Sequence, residues 1–234
     1  MINKHFQKTL LVFALLVGLV VPLRSASAAG DRAFPAFSGF VAAVTDGQAD
    51  VVRGVYVPGV LAMRVMQQPA DDPGFVLRMG GVVTQFREAA LNHVIGLLAH
   101  NDLAGVSFSN LKVGQEVRII YGNGRVDYYV VNRLVRFQAL PSGSEGENYV
   151  DLSSNITYSA QDIFSMFYNG KVHVTFQTCI LQGGNSSWGR LFVTALPIPA
   201  LPLREYQAFS HKARLEISEI WDGVEWLAGG LRFR

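Results

Sequence analysis

Cysteine is almost absent from this chain: Cys179 is the only one in 234 residues. That excludes an intrachain disulfide and any multi-cysteine metal site, and it leaves the thiol two fates, an inert buried side chain or a reactive one. Basic runs are missing as well. The 20 Lys and Arg residues stand against 18 Asp and Glu, with no stretch dense enough to track phosphates, so nucleic acid is not an expected partner. Long helical periodicity is scarce, no internal repeat is evident, and nothing matches a P-loop, a dinucleotide fingerprint or a zinc-protease histidine pair. What remains is 50% apolar and 16% charged sequence with 23 glycines and 15 phenylalanines, arranged as short apolar runs between turn residues. That pattern predicts a mostly β protein with a substantial core.

In chain order, residues 1–29 read as a targeting segment, with Lys4 and Lys8 ahead of an apolar run from Leu10 to Leu23 and Ala26-Ser27-Ala28 as a small-residue cleavage site. The run is about 14 residues against the ~20 needed to span a bilayer, which favours export and cleavage; an uncleaved anchor, marked by Arg24, is the other outcome and would associate the N-terminus with a membrane. Residues 30–50 form an N-terminal extension. Strands are expected near Gly39 to Val44, Val51 to Val57 and Val60 to Val65, a short helix over Thr84 to Leu91, and a strand buried on both faces over His93 to His100. Glu116 to Tyr121 and Arg125 to Val131 flank Gly122-Asn123-Gly124, a hairpin signal, and Leu134 to Leu140 reads as a further strand. Pro141 to Asn148 is a polar loop, and Ser159 with Asp162 resembles a capping box for a helix that stops at Asn169-Gly170.

Lys171 to Cys179 alternates, with Val172, Val174, Phe176 and Thr178 on one face and His173, Thr175, Gln177 and Cys179 on the other, so the thiol ends its strand beside polar side chains. A glycine-rich loop, Gln182 to Gly189, leads into a strand opening at Arg190, 11 positions beyond the cysteine. Pro197 to Leu203 cannot be an interior strand and closes the main domain. The segment 198–234 is then a Pro-rich linker and a hairpin around Asp222-Gly223.

Three blocks resemble the sortase family, the cysteine transpeptidases of bacterial surfaces. Leu98-Ala99-His100-Asn101, followed by Phe108 to Val117, is similar to the family's histidine block; Thr175-Phe176-Gln177-Thr178-Cys179 is similar to its TLxTC block; and Gly189 to Ala195 is similar to the strand bearing its arginine. Ala99 stands where the family usually has Gly, Phe176 where it has Leu, and Gln115 where Asp is common. The resemblance covers 51–197 and implies a single sortase-like closed β-barrel of about eight strands with one or two short helices. It implies Cys179 as the nucleophile, His100 as general acid and base and Arg190 as the anion-stabiliser, with Thr178 and Trp188 contacting substrate. It also implies surface proteins bearing an LPxTG-like sorting motif as donors, an amine on the cell wall or on a protein as acceptor, and no cofactor or metal. Some members bind Ca²⁺ through loop carboxylates; Glu145, Glu147 and Asp151 lie close in sequence, but such a loop is usually only solvated, and no metal is expected.

Each residue also has a plainer reading. His100 caps a strand end, Arg190 is an ordinary exposed side chain with Arg118, Arg133 and Arg136 as substitutes, and Trp188 belongs to a loop. His93 and His173 are rival bases, although His173 lies six residues, roughly 20 Å, from Cys179 along an extended strand. A hydrolytic cysteine peptidase, an L,D-transpeptidase (whose Ser-His-Gly-Cys block is missing) and a non-catalytic secreted β-barrel that binds peptide or wall polymer are the competing functions.

Overall fold

A computed structural model describes residues 34–141 and 148–198. The targeting segment, the loop carrying Glu145 and Glu147, and the C-terminal hairpin lie outside the described residues. The chain divides at Phe34, and every described strand and helix belongs to the unit that begins at Pro35.

Ten strands form one sheet: β1 Val52–Val57, β2 Leu61–Gln67, β3 Val82–Gln85, β4 Ile95–Leu98, β5 Glu116–Tyr121, β6 Val126–Ala139, β7 Asn148–Asp151, β8 Thr157–Ser159, β9 Val174–Gln182 and β10 Asn185–Pro197. Their order is β10-β9-β4-β3-β2-β1-β5-β6-β7-β8, and β10 also pairs with β6. That extra pairing closes eight strands into a barrel, with β7 and β8 left as a flap beyond β6. The barrel of about eight strands expected from the sequence is therefore present.

Side chains alternate across the barrel wall. Val55, Val57, Leu61, Met63, Val83, Leu97, Ile119, Val131, Val174, Phe176, Leu191 and Val193 fill the interior. The 3-10 helix Ala104–Asn110 plugs it with Phe108, whose ring meets Phe176 edge-on at 5.1 Å between centroids. A second cluster lies outside the wall, where Val135, Phe137 and Phe192 are covered by Ile163, Phe167 and Tyr168. Those last three belong to α3 (Ala160–Tyr168), which has the expected capping box: Ser159 Oγ accepts from the Asp162 N–H, and Asp162 Oδ2 accepts from the Ser159 N–H.

Four expectations are corrected. Gly39 to Val44 lies in a helix, α1 (Phe37–Val44), not a strand, because Phe40 and Val44, one turn apart, pack on Tyr56 and Ile120. The room comes from Gly54, where a Cβ would lie 3.0 Å from the Phe40 ring. Thr84 and Gln85 belong to β3, so the helix of that region, α2, covers only Arg87–Leu91. The two strands expected over Arg125 to Leu140 are one, β6, interrupted by a bulge: Thr194 faces Arg133 while Ala195 faces Val131. Asn132 is the extra residue, and its Oδ1 accepts from Thr194 Oγ1 at 2.9 Å. A bulge resets the alternation, which turns Phe137 outward and leaves Arg136 level with Leu191 of the interior row. Finally, β9 runs three residues past Cys179. The loop after it is a tight turn at Gly183-Gly184, both with positive φ, so β10 starts at Asn185 instead of Arg190.

Phe137 is fully buried between the rings of Tyr158, Phe167 and Phe192. Truncating it removes the partner of three rings at once. Phe137→Ala should lower the unfolding free energy by about 3–5 kcal/mol, measured by urea denaturation.

Candidate functional site

The site is laid out by strand register. β4 runs parallel to β9 with Ile95, Gly96, Leu97 and Leu98 level with Val174, Thr175, Phe176 and Gln177. The Ala99 N–H continues the ladder to Gln177 O at 3.2 Å. His100 keeps the same offset of 79 positions (179 − 100) from Cys179, two residues beyond the last register pair, Leu98 and Gln177. On the other flank β10 is antiparallel to β9, and Arg190 is the direct partner of Cys179. Cys179 and Arg190 thus share one row on neighbouring strands, ~4.8 Å apart, and His100 approaches that row from just past the end of β4, on the other flank of β9.

Alternation places the row on the outer wall. Gln177, two residues before Cys179, accepts a hydrogen bond from Tyr168 of α3; Phe192, two after Arg190, packs under the same helix. A Cβ on Gly96, four before His100, would strike Ala89, Phe86 and Tyr168. Cys179 itself is half-buried. Burial pushes the Tyr168 phenol up, so it remains a proton donor to Gln177.

The flanking side chains are held by main-chain carbonyls. His100 Nε2 lies 3.0 Å from Val76 O, and since a carbonyl only accepts, Nε2 carries a proton in this contact. Val76 belongs to the segment between β2 and β3, which is fastened by Gln68 Nε2 to Pro73 O and Phe75 O, by the Leu77 N–H to Thr84 Oγ1, and by Arg78 to Asp102 at 2.6 Å. The hydrogen bond from Arg78 holds the Asp102 carboxyl below its usual range. Arg190 Nη1 donates to Ser187 O at 3.2 Å and Gly189 O at 3.0 Å.

The rivals sit elsewhere. His93 and His173 precede β4 and β9, at the far end of the parallel pair from His100 and Cys179. The ring nitrogens of His173 lie against the carbonyls of Lys171 and Phe167. Arg118 is paired with Glu116, and Arg133 lies over the Phe167 ring.

Thr178 and Trp188 part company. Thr178 is buried and donates to Ala99 O at 2.9 Å, tying β9 to the residue before His100. It also lines a cavity of ≈ 220 Å³ with Asn101, Gly105, Val106, Ser109, Arg136, Cys179, Ile180, Leu181 and Leu191. Trp188 is half-buried in β10 and is not in that lining. From the sequence Arg136 is no more than a substitute for Arg190, and Val76 has no role. Spacing signals neither: Arg136 depends on the bulge at Asn132, and Val76 on a loop that returns 24 residues from His100.

Neither a protein-family model nor a curated protein sequence matches the chain. Among solved structures it is similar to sortase C-1 from Actinomyces oris (16% identity, 71% of this chain and 82% of that one, TM-score 0.43). It is also similar to the lid mutant of Streptococcus agalactiae sortase C1 (15% identity, 71% and 86%, TM-score 0.42) and to the Clostridium perfringens sortase D5 transpeptidase (15% identity, 70% and 89%, TM-score 0.39).

Gly105 carries the 3-10 helix against the site: a Cβ there would lie 2.2 Å from Thr178 Oγ1 and 2.7 Å from His100 O. Gly105→Ala should therefore lift the helix from β9 and speed alkylation of Cys179 by iodoacetamide several-fold. An unchanged alkylation rate together with an unchanged melting temperature would show that the close packing has no such consequence.

Proposed function

We propose that the chain is a sortase-type cysteine transpeptidase, and the observation that supports this reading is the direct pairing of Cys179 with Arg190 on adjacent strands, with His100 two residues past the end of the strand on the other flank of β9. The Cys179 thiolate attacks the backbone carbonyl of a sorting-motif peptide of LPxTG type, forming the C–S bond. The guanidinium of Arg190, swung from the Ser187 and Gly189 carbonyls, balances the negative charge that develops on the carbonyl oxygen. Collapse breaks the C–N bond, and protonated His100 gives its proton to the departing amine, leaving a thioester on Cys179. In the second half an acceptor amine, on the cell wall or on a surface protein, attacks the thioester carbon, passes its proton to His100 and releases the thiolate. Residues 1–29 would deliver the domain to the exterior, either cleaved or kept as an anchor, and so put it in the compartment of both substrates.

The test is to incubate the protein with LPxTG-type peptides and an amine and follow the product masses. A peptide-sized adduct on Cys179 and an amine-linked product are expected, both absent from Cys179→Ala. His100→Ala should lose roughly 10²–10⁴-fold. Arg190→Lys should lose at least about ten-fold, because an ammonium does not reproduce the planar donor fork. The pH-rate profile should be bell-shaped, since one group acts deprotonated and the other protonated. Full turnover by Cys179→Ala would refute the reading.

A further inference from the structure

The cavity beside Cys179 has one cationic side chain and no anionic one. Arg136 supplies the charge, Val106, Ile180, Leu181 and Leu191 supply apolar walls, and Asn101 and Ser109 supply an amide and a hydroxyl. Four arginines elsewhere are matched: Arg53 holds Asp46, Arg78 holds Asp102, Arg118 holds Glu116 and Arg125 holds Asp127. Arg136 has no carboxylate partner among the described residues. The fork of donors of its guanidinium fits a carboxylate in two parallel hydrogen bonds.

The register sets the range of that attraction. Arg136 is level with Leu191, and Leu191 with Thr178, the residue before Cys179. Arg136 and Thr178 face the barrel while Cys179 faces out, but all three line the one cavity; two inter-strand steps make roughly 10 Å, which an extended peptide covers in about three residues. We propose that Arg136 determines specificity for the acyl-donor peptide by selecting an Asp or Glu side chain within three residues of the bond that Cys179 attacks. This assignment rests on the transpeptidase reading for its substrate, but recognition by Arg136 is measurable without catalysis.

The probe is a library of random hexapeptides, acetylated and amidated so that only side chains carry charge. It is passed over the immobilised full chain bearing Cys179→Ala, and bound peptides are sequenced by mass spectrometry. Asp and Glu should be enriched at least three-fold over the input at one position; the enrichment should vanish with Arg136→Gln and give way to Lys and Arg with Arg136→Glu. Because Arg136 is exposed, both variants should melt with the parent. Recovery without an acidic preference, or a preference that survives Arg136→Gln, overturns the assignment. Acylation of Cys179 by the same library is read separately on the unsubstituted protein: an Arg136-dependent preference without acylation keeps the recognition and rejects the chemistry.

Discussion

The parallel ladder between β4 and β9 is the constraint on which the site depends. Parallel strands are joined by long connections, so nothing local forces His100 and Cys179 together; register does. The buried face of each strand sets that register, with Leu97 and Phe176 both sealed in the barrel. A slip of one residue would turn those side chains out and point the thiol inward. Core packing and site geometry are therefore one specification, and the hydroxyl of Thr178 on Ala99 O pins the ladder where regular pairing stops.

The second support is the aromatic cluster outside the wall. α3 rests on Phe192 and Phe137 through Phe167, whose ring stacks on Phe192 at 4.1 Å, and Tyr168 bonds to Gln177. Phe192 and Gln177 each precede or follow a site residue by two positions on the same face, so the helix braces the strands without covering the row. The 3-10 helix braces the other side, filling the barrel with Phe108 and leaving the cavity between Gly105 and Arg136.

Much of this was legible in the sequence. The alternation holds from Val174 to Cys179, while Val172, exposed, and His173 lie ahead of the strand; the Gly122-Asn123-Gly124 hairpin and the Ser159 cap hold as well, because each is encoded locally by pleat, turn or cap chemistry. The candidates His100, Cys179 and Arg190 were legible as blocks, but their arrangement was not, since a register between strands 79 residues apart leaves no periodic trace. α1 reads as a strand because its Gly, Ala and Val content suits a strand as well as a helix, and only the gap at Gly54 settles which face it buries. β6 was split in two because a bulge breaks the two-residue period, and the same break hid Arg136.

The closing of β10 onto β6 has a consequence for how the domain meets other chains. Pairing with β6 covers β10 from Gly189 to Pro197, so the terminal strand of the sheet order among the described strands is β8, three residues long and followed at once by the capped helix α3. An edge that short gives a second copy almost nothing to add to. On the proposed route of export, where neighbouring chains are still folding, such a domain would present them with very little template for aggregation.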